Sequence, residues 1–185
     1  WHTTEGAGVD GSGALEHNCC RGAKEADDAV MMYLGEGAQQ WTDYRVEVQF
    51  NIPTDNRQQQ GLWIRGQYQE TKKQAQWITG YYVILHRKHT VKLLQMQTKE
   101  DCTGDTCGDN KWQYALNNPY ILREEKIDAI DLTRNAWHTL TVEVEGNHIR
   151  IWVDGAFAYE FVDNKYPFLE GTVGFSTYQV ESVFF

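Results

Sequence analysis

Proline is scarce here, with three among 185 residues. No apolar run approaches the roughly 18 residues of a membrane-crossing helix, so membrane insertion is not expected. Basic residues are also in deficit: 17 Lys and Arg face 26 Asp and Glu, a net charge of −9. Phosphate affinity comes from clustered cations, so an acidic chain without a basic run is a poor nucleic-acid binder. The same deficit disfavours anionic membrane surfaces. No Asn-x-Ser/Thr sequon occurs, which removes N-glycosylation from the expectations. There is no opening Met and no visible signal peptide, so Trp1 reads as a mature or trimmed start. Nucleophile-elbow, zinc-protease, P-loop and EF-hand motifs are all missing. No pair of C-x-x-C motifs exists, so a structural zinc site is not expected. The six histidines (His2, His17, His86, His89, His138, His148) show no metal-ligand spacing.

Aromatic residues are plentiful: 7 Trp, 10 Tyr and 7 Phe. Rings favour strands, and they also suit a surface that stacks on a ligand. At 185 residues the chain buries enough surface to fold as one domain, residues 1–185, without a metal or a disulfide. Four cysteines stand at Cys19, Cys20, Cys102 and Cys107. Cys102 and Cys107 flank a short polar turn, which suggests a loop-closing disulfide. Cys19 and Cys20 then form a vicinal bridge, or each reaches one cysteine of the later loop; three pairings stay open. The even count favours an oxidising, extracellular compartment.

Residues 44–52 alternate, with Val46, Val48, Phe50 and Ile52 on one face and Arg45, Glu47 and Gln49 on the other. Residues 31–34, 61–66, 80–86 and 91–97 read as further strands. The insert 67–79, with Tyr68 and Trp77, reads as a loop, and 98–118 as a long acidic loop. Residues 119–136 fit either a helical turn or short strands. Residues 137–145 and 149–153 alternate again, and Asp154-Gly155 is a strong hairpin signal. Segments 157–162, 171–177 and 180–185 follow. At least nine short strands without a long helix predict an all-β, antiparallel two-sheet sandwich.

The run WHTLTVEVEGNHIRIWVDG (137–155) with FLEGTVGFST (168–177) resembles concanavalin A-like lectin/glucanase jelly rolls. It is most similar to laminin-G-like carbohydrate-binding modules and 3-keto-glycoside hydrolase-like domains. YRVEV (44–48), GLWIR (61–65) and GYYVIL (80–85) fall in the order of that group. The resemblance covers about residues 41–185 and is looser before that. It implies a sugar ligand on a concave sheet face or its rim loops. It also implies a structural calcium ion, for which Asp10, Glu16 and Asp163 are the candidate ligands, with the aspartates of 101–109 as further oxygens.

In GLWIR, Leu62 and Ile64 should enter the core, leaving Trp63 and Arg65 together on the opposite face. A ring beside a guanidinium suits a sugar, by C–H stacking and forked hydrogen bonding. The alternative is that a loop covers Trp63 and that Arg65 pairs with an acid. Tyr82 and His86 share a face of the next strand. Tyr68 and Trp77 are candidates to close over it, and Tyr178 is a further candidate. Arg150 and Trp152 form a second outward pair, expected on the other sheet. Glycosidases need two carboxyl groups across the scissile bond, roughly 5–9 Å apart. No E-x-D-x-E strand is present, and Glu143 and Glu145 read as solvent-facing. The expectation is therefore a non-catalytic, extracellular glycan- or polysaccharide-binding module, possible in a calcium-stabilised form. Its rivals are a glycoside hydrolase or polysaccharide lyase of the same fold, and an adhesive domain that self-associates.

Overall fold

The computed structural model describes residues 2–8, 11–18, 28–51, 59–70, 76–86, 90–96, 120–127, 136–178 and 182–184. Among these, thirteen strands form two antiparallel sheets. The strands are β1 (His2–Thr4), β2 (Ala14–Asn18), β3 (Asp28–Met32), β4 (Tyr44–Asn51), β5 (Gln59–Glu70), β6 (Gln76–His86) and β7 (Thr90–Met96). They continue as β8 (Tyr120–Lys126), β9 (Trp137–Glu145), β10 (His148–Val153), β11 (Ala156–Val162), β12 (Thr172–Tyr178) and β13 (Ser182–Phe184). One sheet has the order β1-β2-β13-β4-β9-β10-β11, the other β3-β12-β5-β6-β7-β8. The only helical element among the described residues is the 3-10 turn Ala38–Gln40.

The strand period of two decides the layers. Val48 and Phe50 of β4, Leu140, Val142 and Val144 of β9, and Ile149, Ile151 and Val153 of β10 enter the core from the seven-stranded sheet. They meet Leu62, Ile64, Tyr81, Val83, Leu85, Val91 and Leu93 from the six-stranded sheet. Each such side chain contributes about 1.5–3 kcal/mol by leaving water. The sandwich is an antiparallel jelly roll, as the alternation in β4, β9 and β10 indicates.

The hairpin at Asp154-Gly155 has both residues at positive φ, 49° and 78°, as a two-residue turn of the primed type requires. Asp154 strengthens it: one carboxylate oxygen accepts from Thr139 N–H at 2.7 Å, and the other lies 2.8 Å from His138 Nδ1.

One loop expectation is corrected. The insert 67–79 is largely strand: β5 runs on to Glu70 and β6 begins at Gln76, so Tyr68 pairs with Ile78 and Trp77 with Gln69. Residues 120–126 form the edge strand β8. The expected bridges of Cys19, Cys20, Cys102 and Cys107 lie outside the described residues.

Candidate functional site

The outer face of the six-stranded sheet is built from three cross-strand rows. Met32, Gly174, Trp63, Tyr82, Leu94 and Ile121 face one another in register. The next row is Val30, Ser176, Gly61, Ile84, Lys92 and Glu124. The third is Asp28, Tyr178, Gln59, His86, Thr90 and Lys126. The face thus grades from apolar to polar over two row spacings. Rows lie two residues apart, or about 7 Å, close to the width of one pyranose ring.

The register brings Trp63, Tyr82, His86 and Tyr178 to this one face. Trp63 and Tyr82 stack at 5.1 Å with their planes 14° apart. The Tyr82 ring leans over Gly61, where any side chain would meet it. Val30, Met32, Ile84 and Leu94 pack around the two rings as a cluster separate from the central core. Trp63 does not present an open ring, however. It and Tyr82 are each 2% exposed, so the pair is a floor whose faces are already taken. The Trp63 indole N–H is buried and makes no hydrogen bond. An orphaned buried donor of this kind costs about 1–3 kcal/mol.

Arg65 is not beside Trp63. A bulge between Ile64 and Gln67 breaks the alternation, and Arg65 adopts φ 50°. Its backbone passes so close to Gly80 and Gly171 that a Cβ on either would overlap it. The side chain, fully buried, turns to the end of the sandwich. There Nε and Nη2 donate to Thr42 O at 3.2 and 3.0 Å, and Nη1 donates to Phe168 O at 2.6 Å and to Gly146 O. Asp43 lies 3.3 Å from Nη2 and also accepts the Gly146 N–H at 2.8 Å. Burial lowers the guanidinium pKa, and the nearby Tyr44 and Asp43 oppose that shift. Arg65 therefore ties the loop before β4, the β9–β10 turn and the loop before β12 together. Neither parity nor composition shows this, because one residue at positive φ inverts the face of everything after it.

Tyr68 and Trp77 stand in the extension of the β5–β6 pair, beyond the bulge. Asp163 is buried between four donors. Tyr81 Oη and Gln95 Nε2 reach Oδ2 at 2.7 and 3.2 Å, while the N–H groups of Lys165 and Tyr166 reach Oδ1 at 3.0 and 3.1 Å. Donors do not fit calcium, which needs oxygen lone pairs. Glu16 accepts from Thr4 Oγ1 at 2.6 Å, and Asp10 lies outside the described residues. Among the described residues no three His, Cys, Asp or Glu side chains gather as a metal site.

The outer face of the seven-stranded sheet carries the pair Arg150 and Trp152. Arg150 bonds Glu143 at 2.7 Å, Glu160 at 3.1 Å and Glu145 at 3.3 Å. Arg45 lies over Trp152 at 5.4 Å, and Phe157 meets that indole edge-on. Glu143 and Glu145 thus serve one guanidinium, an arrangement unlike an acid/base pair. Sequence reasoning also passed over Tyr33 and Trp41, which stack in the open after β3. The available signal was the glycine-spaced Gly35-Glu36-Gly37 between them.

The two packed antiparallel sheets have the concanavalin A-like lectin/glucanase fold. Within that fold class, the whole chain, residues 1–185, matches the 3-keto-alpha-glucoside-1,2-lyase-like domain, and it belongs to that family. The fold is a two-sheet antiparallel jelly roll. It is similar to carbohydrate binding module CBM66 from Bacillus subtilis, with 18% identity, TM-score 0.59, and 92% of this chain and 88% of that one covered. A putative glycosyl hydrolase from Parabacteroides distasonis is 13% identical, with TM-score 0.49 over 78% of this chain and 69% of that one. Sheep galectin-11 in complex with glycerol is 10% identical, with TM-score 0.47 over 88% and 96%. No curated protein matches the sequence.

Proposed function

We propose that this domain is an extracellular carbohydrate-recognition module that holds a glycan on the outer face of its six-stranded sheet. The observation that carries the reading is the graded face itself. A sugar ring has apolar C–H edges and polar hydroxyls, and the three rows offer those two chemistries one ring width apart. The Trp63–Tyr82 pair supports the site as a rigid floor. His86 and Tyr178, in the polar row, are the ligand contacts, with Tyr68 and Trp77 at the extended end of β5 and β6. Open sugar sites bind weakly, with Kd near ~10⁻⁴–10⁻⁶ M.

The test is a glycan array with calcium and again with a chelator. A defined set of hits is expected. Loss with chelator assigns a metal to the site, held by residues other than Asp163. Blank arrays in both buffers defeat the proposal. Trp63→Phe keeps a ring but narrows the floor, so it should fold and bind any hit several-fold more weakly. Unchanged affinity in that variant removes Trp63 from the site.

Family membership favours a second reading, in which the face binds a 3-keto-glucoside for cleavage. Release of a monosaccharide from a 3-keto disaccharide by the purified domain would establish it. Binding of the same compound without turnover would leave recognition as the function.

A further inference from the structure

Tyr33, Leu34 and Trp41 are left 55%, 53% and 39% exposed by this fold. Tyr33 and Trp41 stack at 5.4 Å with their planes 25° apart, and Trp41 meets Tyr44 edge-on at 6.2 Å. The Tyr44 hydroxyl accepts Arg65 N–H at 2.6 Å, so the pair leans on the buried arginine hub.

The backbone beneath both rings is tied down. Tyr33 N–H donates to Val173 O at 2.9 Å, and Tyr33 O accepts from Thr172 Oγ1 at 2.6 Å. Trp41 O accepts from Gly171 N–H at 2.9 Å. Gln67 Nε2 bridges Gln39 O and Glu170 O at 2.9 and 3.3 Å. The Tyr33 ring lies in space that Gly35 leaves free, since a Cβ there would sit 2.3 Å from its hydroxyl.

An exposed ring pair gains little from folding, yet this one is fixed in place. What it provides is a flat, preorganised face. Glu36 and Glu170 are exposed on the loops around the pair, and a carboxylate is an acceptor. A neutral sugar matches both features, with C–H edges for the rings and hydroxyl donors for the carboxylates. An anionic ligand does not, because Glu36 and Glu170 are negative and the nearby Arg65 cation is buried and already paired with Asp43.

We infer that the Tyr33–Trp41 pair is a second carbohydrate contact, for a neutral glycan chain, distinct from the Trp63–Tyr82 floor. This rests on the reading of the domain as a carbohydrate binder. The experiment titrates cellohexaose, laminarihexaose, mannohexaose and xylohexaose into the full chain with ¹⁵N-labelled indoles. The Trp41 signal, assigned by its loss in Trp41→Phe, should shift with at least one of them. Tyr33→Ala should weaken that binding about five- to tenfold, and Gly35→Ala, which displaces the ring without deleting it, should also weaken it. Because Tyr33 is exposed, its variant should keep the wild-type thermal midpoint. A silent Trp41 while other indoles respond overturns the rim site and leaves the recognition reading standing. Silence at every indole together with a blank array overturns both. Loss of a dimer in sedimentation of Tyr33→Ala, with sugar binding intact, makes the pair a self-association surface and also overturns the inference.

Discussion

The two outer faces of this sandwich solve the same problem in opposite ways. On the seven-stranded sheet, one cross-strand row reads Arg45, Glu143, Arg150, Glu160, with charge alternating along it. Its side chains satisfy one another and stay wet. The six-stranded sheet spends its central positions on glycine and large rings, and buries an indole N–H without a partner. A face that pairs its own polar groups has little left for a ligand. A face that leaves a donor unpaired carries a cost that something else can remove. The difference distinguishes the two faces better than aromatic content does, since each holds a tryptophan.

The comparison breaks most sharply at the hub between the sheets. Arg65→Met should strip the carbonyls of Thr42, Gly146 and Phe168 of their donor and cost about 3–5 kcal/mol. A urea midpoint equal to that of the wild type would show that the hub is dispensable.

Alkali should act next. Burial, partly offset by the bond from Arg65, pushes the Tyr44 hydroxyl from 10 up to about 12. Burial likewise raises Tyr81, helped by Asp163, and Tyr159. A group with a higher pKa when folded stabilises fully below its unfolded value and loses that contribution as pH rises through the folded one. Stability should therefore fall between pH 10 and about 12. Urea midpoints that stay flat across that window would contradict the burial of these hydroxyls.

The smallest effect belongs to the charged row. The bond from His148, and after it Arg150, holds the Glu160 carboxyl below the usual glutamate range. Its contribution is present above the unfolded value and fades as pH falls through the lower folded one. Arg150→Gln should raise the Glu160 titration midpoint seen by carbon NMR and hardly move the melting temperature, because exposed pairs are screened. A large drop in melting temperature would mean that the row is structural after all.

Much of the fold was legible because alternation reports burial directly. Strands β4, β9 and β10 and the Asp154-Gly155 turn follow from it. The site was legible only in part. Tyr82 and His86 share a face because no irregularity separates them, whereas the bulge at Arg65 sends that side chain elsewhere. That Tyr178 faces Gln59 and His86 depends on β12 lying beside β5, a long-range pairing that local pattern does not encode. The burial of Trp63 depends on neighbours from other strands for the same reason.

The strand order also governs how this domain can be made. Among the described residues β12 is the only partner of β3, and β13 joins the β1–β2 hairpin to β4. During synthesis, β3 waits without its neighbour, and the β1–β2 hairpin without its link to β4, until residues 172–184 have left the ribosome. Until then each sheet has open edges at the places these late strands will fill, exposed to any chaperone or sister chain nearby. A stop codon at position 172 would release a chain with most of its core residues and no means of closing either sheet.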